Sequence, residues 1–384
     1  MRVPLFELTR QNRRLWPELQ RAIKKVIDSG VFIMGDEVRL IENQIAEMIG
    51  VSFGIGVANG SDALHLSVQA CGIGPGDEVI TTPFTFVATA EAIVRHGATP
   101  VFADIDLSTY NISPESIAAA VTSRTKAIIV VHLYGNPVDM QPIMDIAEER
   151  DLLVIEDAAQ AIGAEYNGKM AGSIGKVGCL SFFPTKNLGC FGDGGMILTD
   201  CEKLTSRLRI LRLHGSDPKY FHAELGCNSR LDTLQAAVLD VKLKYLDEWT
   251  QRRRQIASMY SNLLEDLPVV LPKETDRGKH VYHQYTIRTA HRDELRSYLE
   301  ANGIETGLYY PLALHMQKVF SYLGYEKGDF ANSELASREV LSLPMFPEIK
   351  DREVEYVCDK IREFFTNPST GRKSAVSTTV RQVL

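Results

Sequence analysis

The sequence predicts an α/β protein: a large domain on a mostly parallel, mixed sheet covered by helices, followed by a smaller C-terminal α+β domain. Two observations carry this. Short apolar runs alternate with amphipathic helical stretches up to about residue 200, the pattern that threads parallel strands through crossover helices. Beyond it the alternation gives way to long helical segments and isolated strands. A chain of 384 residues, 45% hydrophobic and 24% charged, can fill two cores.

Taken in order, residues 12–28 read as a helix, with Leu15, Leu19, Ile23 and Ile27 at helical spacing. Gly30 and Gly35 punctuate the chain before a second amphipathic helix at 38–49. The clearest strands are 78–82, 100–103, 126–131 and 152–155, separated by helices at 62–69, 88–94, 114–121 and 140–150. Two further strands, 178–183 and 195–199, flank a glycine-rich loop. Residues 230–250 read as one long helix, 252–264 as another, 281–289 as a strand and 292–301 as a helix. The domains expected are therefore 1–250 and 251–365. The polar tail 366–384, with its Pro and Gly, is expected to be disordered.

Composition narrows the function. A net charge of −7 argues against a nucleic-acid-binding stripe and a polybasic membrane anchor. No apolar run approaches the ~20 residues that span a bilayer. The start, Met1-Arg2-Val3-Pro4-Leu5, lacks the apolar segment of a secretory leader. The six cysteines are scattered without a CxxC pair, which fits reduced thiols and a cytoplasmic location. The histidines show no zinc spacing, and neither a Walker A nor a GxGxxG pattern occurs.

The chemistry lies in two segments. The strand at 152–155 runs into Glu156-Asp157-Ala158-Ala159-Gln160, and ligands of open α/β sheets sit at the carboxyl ends of strands. Asp157 there could cap a helix, or it could keep a pyridine nitrogen protonated. Downstream, Lys186 lies in Ser181-Phe182-Phe183-Pro184-Thr185-Lys186-Asn187-Leu188-Gly189, ahead of Gly192-Asp193-Gly194-Gly195. A solvated lysine would not need that aromatic run beside it. Together the two residues are the equipment of pyridoxal 5′-phosphate: a lysine for the imine and an acid for the pyridinium nitrogen. The amine acts only when neutral, so burial or a cationic neighbour must lower its pKa.

Other candidates surround this pair. Ala58-Asn59-Gly60-Ser61-Asp62-Ala63-Leu64 sets a glycine turn at a helix start. It is a common capping motif, and its N–H groups at Ser61 or Asp62 would also bind a phosphate. Ser181 can add a hydroxyl. Phe86, after another strand end, is either a core residue or a face for a flat ring. Arg230, behind the caps Asn228 and Ser229, occupies a helix start where cations are disfavoured, which suggests an anion nearby. Tyr310 and His315, in Tyr310-Pro311-Leu312-Ala313-Leu314-His315-Met316-Gln317, are candidate substrate contacts.

In order along the chain, these segments resemble the DegT/DnrJ/EryC1/StrS family of PLP-dependent nucleotide-sugar aminotransferases, from about residue 3 to about residue 365. The resemblance implies the aspartate-aminotransferase-like fold (type I) and a homodimer with shared active sites. By position it makes Lys186 the imine lysine, Asp157 the pyridinium partner and Gln160 the residue bonding the ring hydroxyl. Gly60, Ser61, Asp62 and Ser181 then belong to the phosphate site, Phe86 stacks on the ring, and Asn228 reaches the neighbouring subunit's phosphate. Relatives with histidine in place of the lysine run dehydrations; the lysine here favours transamination. The segment Leu314-His315-Met316-Gln317 resembles that of enzymes placing nitrogen at C3 of a UDP- or dTDP-linked keto sugar.

The reaction implied takes an amino group from L-glutamate, leaving 2-oxoglutarate, through pyridoxamine 5′-phosphate to the keto sugar, for surface-polysaccharide or deoxyamino-sugar synthesis. The competing readings are a PLP-dependent sugar dehydratase or lyase, and a non-catalytic regulator on the same fold.

Overall fold

The computed structural model describes residues 1–366. The expected tail lies outside the described residues, save Thr366, which ends the last helix.

Helices α1 (Thr9–Ser29) and α2 (Asp36–Ile49) lead into β1 (Phe53–Val57). Then α3 (Gly60–Ala70), β2 (Glu78–Thr81), α4 (Ala88–Val94), β3 (Thr99–Phe102), α5 (Pro114–Ala120), β4 (Thr125–Val131), α6 (Met140–Glu149) and β5 (Leu153–Asp157) alternate. The short β6 (Glu165–Tyr166) and β7 (Lys169–Met170) precede β8 (Val177–Ser181) and β9 (Gly195–Thr199). Helices α7 (Glu202–Leu211), α8 (Thr233–Leu243) and α9 (Leu246–Leu264) follow. Last come β10 (Gly278–Lys279), β11 (Tyr285–Arg288), α10 (Arg292–Ala301), α11 (Ala331–Glu339), β12 (Val340–Leu343) and α12 (Asp351–Thr366).

Among the described residues, seven strands form the main sheet in the order β1-β9-β8-β5-β4-β2-β3. Only β9 runs against the others, pairing antiparallel with both β1 and β8. One face packs Leu64, Val68, Ile93 and Leu208 against Ile129 and Ile155; the other packs Ile117, Met140 and Ile143 against Ile128 and Val130. Alternate strand residues thus serve opposite cores, as period-two geometry requires. A separate core joins α9, α10, α12, β11 and β12 through Tyr260, Tyr285, Leu295, Leu341 and Ile361, and Val3 packs into it.

The structure corrects several expectations. Residues 230–250 are not one helix: α8 ends at Leu243, and the chain turns at Lys244 and Tyr245 before α9. The turn lets Trp249 stack on Tyr245 and pack on Leu15 and Leu19 of α1, while Ile256, Tyr260 and Leu264 enter the C-terminal core. Residue 250, the expected boundary, lies inside α9. The strand expected at 281–289 is only β11, because residues 281–284 cross instead toward a cleft. On α1 Ile27 is exposed and Val26 takes the core position. Strand β1, read as no element, is real. Its Gly54 and Gly56 admit α2 and Leu231, since a Cβ on Gly54 would meet the Glu42 carbonyl oxygen at 2.6 Å.

Helix α8 also clamps the backbone that follows Lys186. Gln235 Oε1 accepts from the Phe191 N–H (2.7 Å), and its Nε2 donates to the Phe191 carbonyl (3.3 Å). Lys242, 2% exposed, donates from Nζ to the Gly189 carbonyl (2.7 Å) and lies 4.7 Å from the Phe191 ring centre. Burial pushes its pKa from 10.5 down to about 8. The folded value lies below the unfolded one, so the buried charge costs stability at neutral pH, and the cost is relieved as pH rises between those values. Between pH 8 and 10.5, wild type is expected to gain about 3 kcal/mol of stability relative to Lys242→Met. Urea unfolding of both proteins at the two ends of this interval checks it; parallel pH dependences would refute it.

Candidate active site

The carboxyl ends of the parallel strands open into a cleft of about 470 Å³. Five connections build it. Asn59, Gly60 and Ser61 follow β1, Thr85 and Phe86 follow β2, and Val131 ends β4. Asp157, Ala159 and Gln160 come from the end of β5, and Ser181, Phe183, Thr185 and Lys186 from the end of β8. His283, Gln284, Tyr309 and Tyr310 close the cleft from the C-terminal part of the chain.

Asp157 is 6% exposed at the floor. Its Oδ2 accepts from Thr89 Oγ1 (2.8 Å), and its Oδ1 from the Ala159 N–H (3.2 Å). Burial nevertheless pushes its pKa up, against those hydrogen bonds and the charge of Lys186. The adjacent Glu156 is fully buried. Its carboxylate accepts from the N–H groups of Gly172, Ile174 and Gly175 and faces His132 Nε2 at 2.9 Å. His132 Nδ1 accepts from the Val138 N–H, so Nε2 carries the proton donated to Glu156. This network fixes the strand end on which Asp157 stands.

Lys186 opens on the same cleft. Burial pushes its pKa down to about 8, with the Asp157 charge opposing. The site therefore pairs an amine held close to neutrality with an acid in a dry environment, a combination that marks reactive sites.

The start of α3 forms an anion cradle. Asn59 caps it by accepting from the Asp62 N–H (2.8 Å), leaving the N–H groups of Gly60 and Ser61 at the helix start beside the Ser181 hydroxyl. The approach requires glycine, because a Cβ on Gly60 would stand 2.7 Å from Ser181 Cβ. Gly195 likewise admits the Asn59 carbonyl, which a Cβ would meet at 2.4 Å. Gln160 is oriented by the Tyr134 N–H on its Oε1 (2.7 Å), so its Nε2 reaches toward the cleft and the Tyr310 hydroxyl (3.3 Å). Phe86, 54% exposed, lines the cleft with its ring centre 6.2 Å from that of Tyr310.

The donor set fits pyridoxal phosphate. An amine, a buried acid, an amide donor, an open aromatic face and a helix-start cradle surround one space that holds a flat, singly anchored ring.

A family model described as the DegT/DnrJ/EryC1/StrS aminotransferase family matches residues 14–362. The chain belongs to this family. A pleiotropic regulatory protein of Geobacillus stearothermophilus is 54% identical over 368 residues, 95% of this chain and 99% of its own. UDP-N-acetyl-3-dehydro-α-D-glucosamine 3-aminotransferase of Acidithiobacillus ferrooxidans is 46% identical, covering 94% of this chain and 97% of its own. Among solved structures, Streptomyces venezuelae DesV in complex with a ketimine intermediate superposes with a TM-score of 0.93 at 41% identity, covering 95% and 99% of the two chains.

Not every expected site residue of this DegT/DnrJ/EryC1/StrS member reaches the cleft. Lys186, Asp157, Gly60, Ser61, Phe86, Gln160, Ser181 and Tyr310 line it together. Asp62 lies beside it, in an adjoining cavity with His65, Glu91 and Arg95. Asn228 is exposed and Arg230 half-buried, and neither lines this subunit's cleft. His315 is 2% exposed, its Nε2 sits 3.1 Å from Glu334 Oε1, its ring packs on Phe330, and it does not line this subunit's cleft. Thr89, Glu156, His132 and His283 were missed, because each gains its role from a partner distant in sequence.

Proposed function

We propose that this protein is a PLP-dependent aminotransferase that moves an amino group from L-glutamate to C3 of a UDP- or dTDP-linked keto sugar. The observation that carries the reading is the convergence of Lys186, Asp157 and Gln160 on one cleft beside an anion cradle at the start of α3. The similarity to a UDP-sugar 3-aminotransferase supports the sugar and the position.

When bound, pyridoxal phosphate supplies an aldehyde that takes up amines and a pyridinium ring that accepts electrons. The N–H groups of Gly60 and Ser61, with the Ser181 hydroxyl, would hold its phosphate. Asp157 would keep the ring nitrogen protonated, Gln160 Nε2 would donate to the ring hydroxyl, and Phe86 would cover one face. Lys186 Nζ would anchor the aldehyde carbon. As general base and acid, the free Nζ would take the proton from the donor carbon and return it. Phe86, Phe183, Tyr309 and Tyr310 wall the cleft with aromatic surface and limit water there.

The assembly proposed is a homodimer in which Asn228 and Arg230 complete the partner subunit's site. Both lie outside their own cleft, next to a loop that exposes Tyr220 (78%), Phe221 (69%) and Leu225 (90%). Exposed apolar surface of this kind marks an interface. A cytoplasmic setting and a role in surface-polysaccharide or deoxyamino-sugar synthesis belong to the same proposal.

The name of the Geobacillus relative favours a second reading, a regulator on this fold. The decisive experiment offers UDP- and dTDP-linked 3-amino sugars with 2-oxoglutarate and follows glutamate formation. Glutamate from a 3-amino sugar is expected. A purified protein without a chromophore would favour the regulator, and a deoxy-sugar product from the forward reaction would indicate a lyase.

A further inference from the structure

His283 lies outside the sequence reading, yet the fold builds a fixed site around it. It is 3% exposed and lines the same cleft as Lys186. Its backbone is tied to α9: the buried Arg253 donates from Nη1 to the carbonyls of Tyr282 (3.0 Å), His283 (3.3 Å) and Met345 (3.2 Å).

The imidazole is oriented by the residue next to Lys186. Asn187 Nδ2 donates to the Val281 carbonyl (3.2 Å). A carbonyl oxygen can only accept, so this contact fixes the amide with Oδ1 toward His283 Nδ1, at 3.2 Å. Oδ1 can also only accept, so Nδ1 carries the ring proton. Burial, reinforced by the charge of Lys186, holds the histidine pKa well below its ordinary value. The ring is therefore neutral and Nε2 keeps its lone pair. Among the described residues, no protein group is hydrogen-bonded to Nε2. Packing alone would accept either tautomer; here two amide contacts select one and leave an acceptor in a cleft whose lysine needs one.

We propose that His283 is a positioning residue for Lys186: its Nε2 accepts a hydrogen bond from the free ε-amino group and holds Nζ where it exchanges the proton of the donor carbon. The inference rests on the aminotransferase reading and deepens it. Because Asn187 belongs to the lysine's own loop and Arg253 to α9, the acceptor is fixed both to that loop and to α9.

The test is a single-turnover half-reaction of the holoenzyme with L-glutamate and with its α-deuterated form, followed by absorbance. His283→Leu is expected to keep the chromophore and to slow proton transfer about 10²-fold, with a larger deuterium effect. Its KM for glutamate is expected to stay within about threefold of wild type. His283→Gln, whose side-chain oxygen can replace the acceptor, is expected to recover about tenfold of the loss. A leucine variant within about threefold of the wild-type rate, or leucine and glutamine variants equally slow with an unchanged isotope effect, would overturn the proposal. If the leucine protein does not fold, Asn187→Leu decides, since it frees the tautomer with His283 in place. A slower proton transfer supports the proposal and an unchanged one overturns it. A wild type that converts glutamate beside an indifferent His283→Leu sinks this inference alone. A wild type without any half-reaction removes the aminotransferase reading and this inference together.

Discussion

Lys186→Ala is expected to abolish turnover, with a loss of about 10⁴-fold or more, and to remove the visible absorbance of the cofactor–protein bond. The size follows from two roles held by one atom. In the proposed mechanism Nζ is both the nucleophile that anchors the aldehyde and the base that moves the donor-carbon proton. No other lysine lines the cleft among the described residues, so none stands ready to replace it. Lys186→Arg should fail equally, because a guanidinium stays protonated and keeps the charge while losing the nucleophile. Absorbance of the purified variants and glutamate release from an amino sugar measure both losses.

The same residue sets a pH dependence in the cofactor-free protein. Its pKa is pushed down to about 8 by burial, and only the neutral amine attacks an aldehyde. The rate of cofactor capture should rise about tenfold per pH unit below that value and level off above it. A lysine with an ordinary pKa would keep the rate rising toward pH 10, and that result would show that the burial of Lys186 does not tune it.

Much of this site was legible in the sequence because its parts lie at strand ends, and strand ends announce themselves. The apolar run stopping at Glu156-Asp157, the glycine turn at Asn59-Gly60 and the aromatic-flanked Lys186 are local signals, and sheet topology then brings them to one edge. What escaped depends on long-range partners. Strand β1 carries two glycines in five residues and looks like a turn; only α2 and Leu231 explain why it must be so bare. The break after α8 leaves little trace, since Lys244 and Tyr245 are tolerable helix residues and the turn is imposed by where Trp249 packs. The placement of His315 depends on Glu334, 19 residues away, which holds it in the interior. His283 had no signal of its own: its tautomer is written by Asn187, 96 residues earlier.

Asp157→Asn should separate stability from activity and is the second large effect expected. The substitution keeps the shape and removes the charge that would hold the ring nitrogen protonated. Losing one preorganised electrostatic partner of the reacting system lowers kcat by about 10²–10³-fold. Cofactor should still bind, since the cradle at Gly60, Ser61 and Ser181 and the lysine are untouched. Without cofactor the sign reverses. Burial raises the folded-state pKa of Asp157 above its unfolded value, so the ionised carboxylate destabilises the fold. That cost is absent below the unfolded pKa and grows as pH rises toward the folded one. The cofactor-free asparagine variant should therefore melt above cofactor-free wild type at pH 7, and the advantage should vanish as pH falls toward 4. Adding cofactor should stabilise wild type more than the variant, because only wild type gains an ion pair with the ring. A helix-capping aspartate would behave otherwise: asparagine caps nearly as well, so both melting temperature and kcat would survive the exchange. Retention of kcat within about threefold would rule out the pyridinium-partner role.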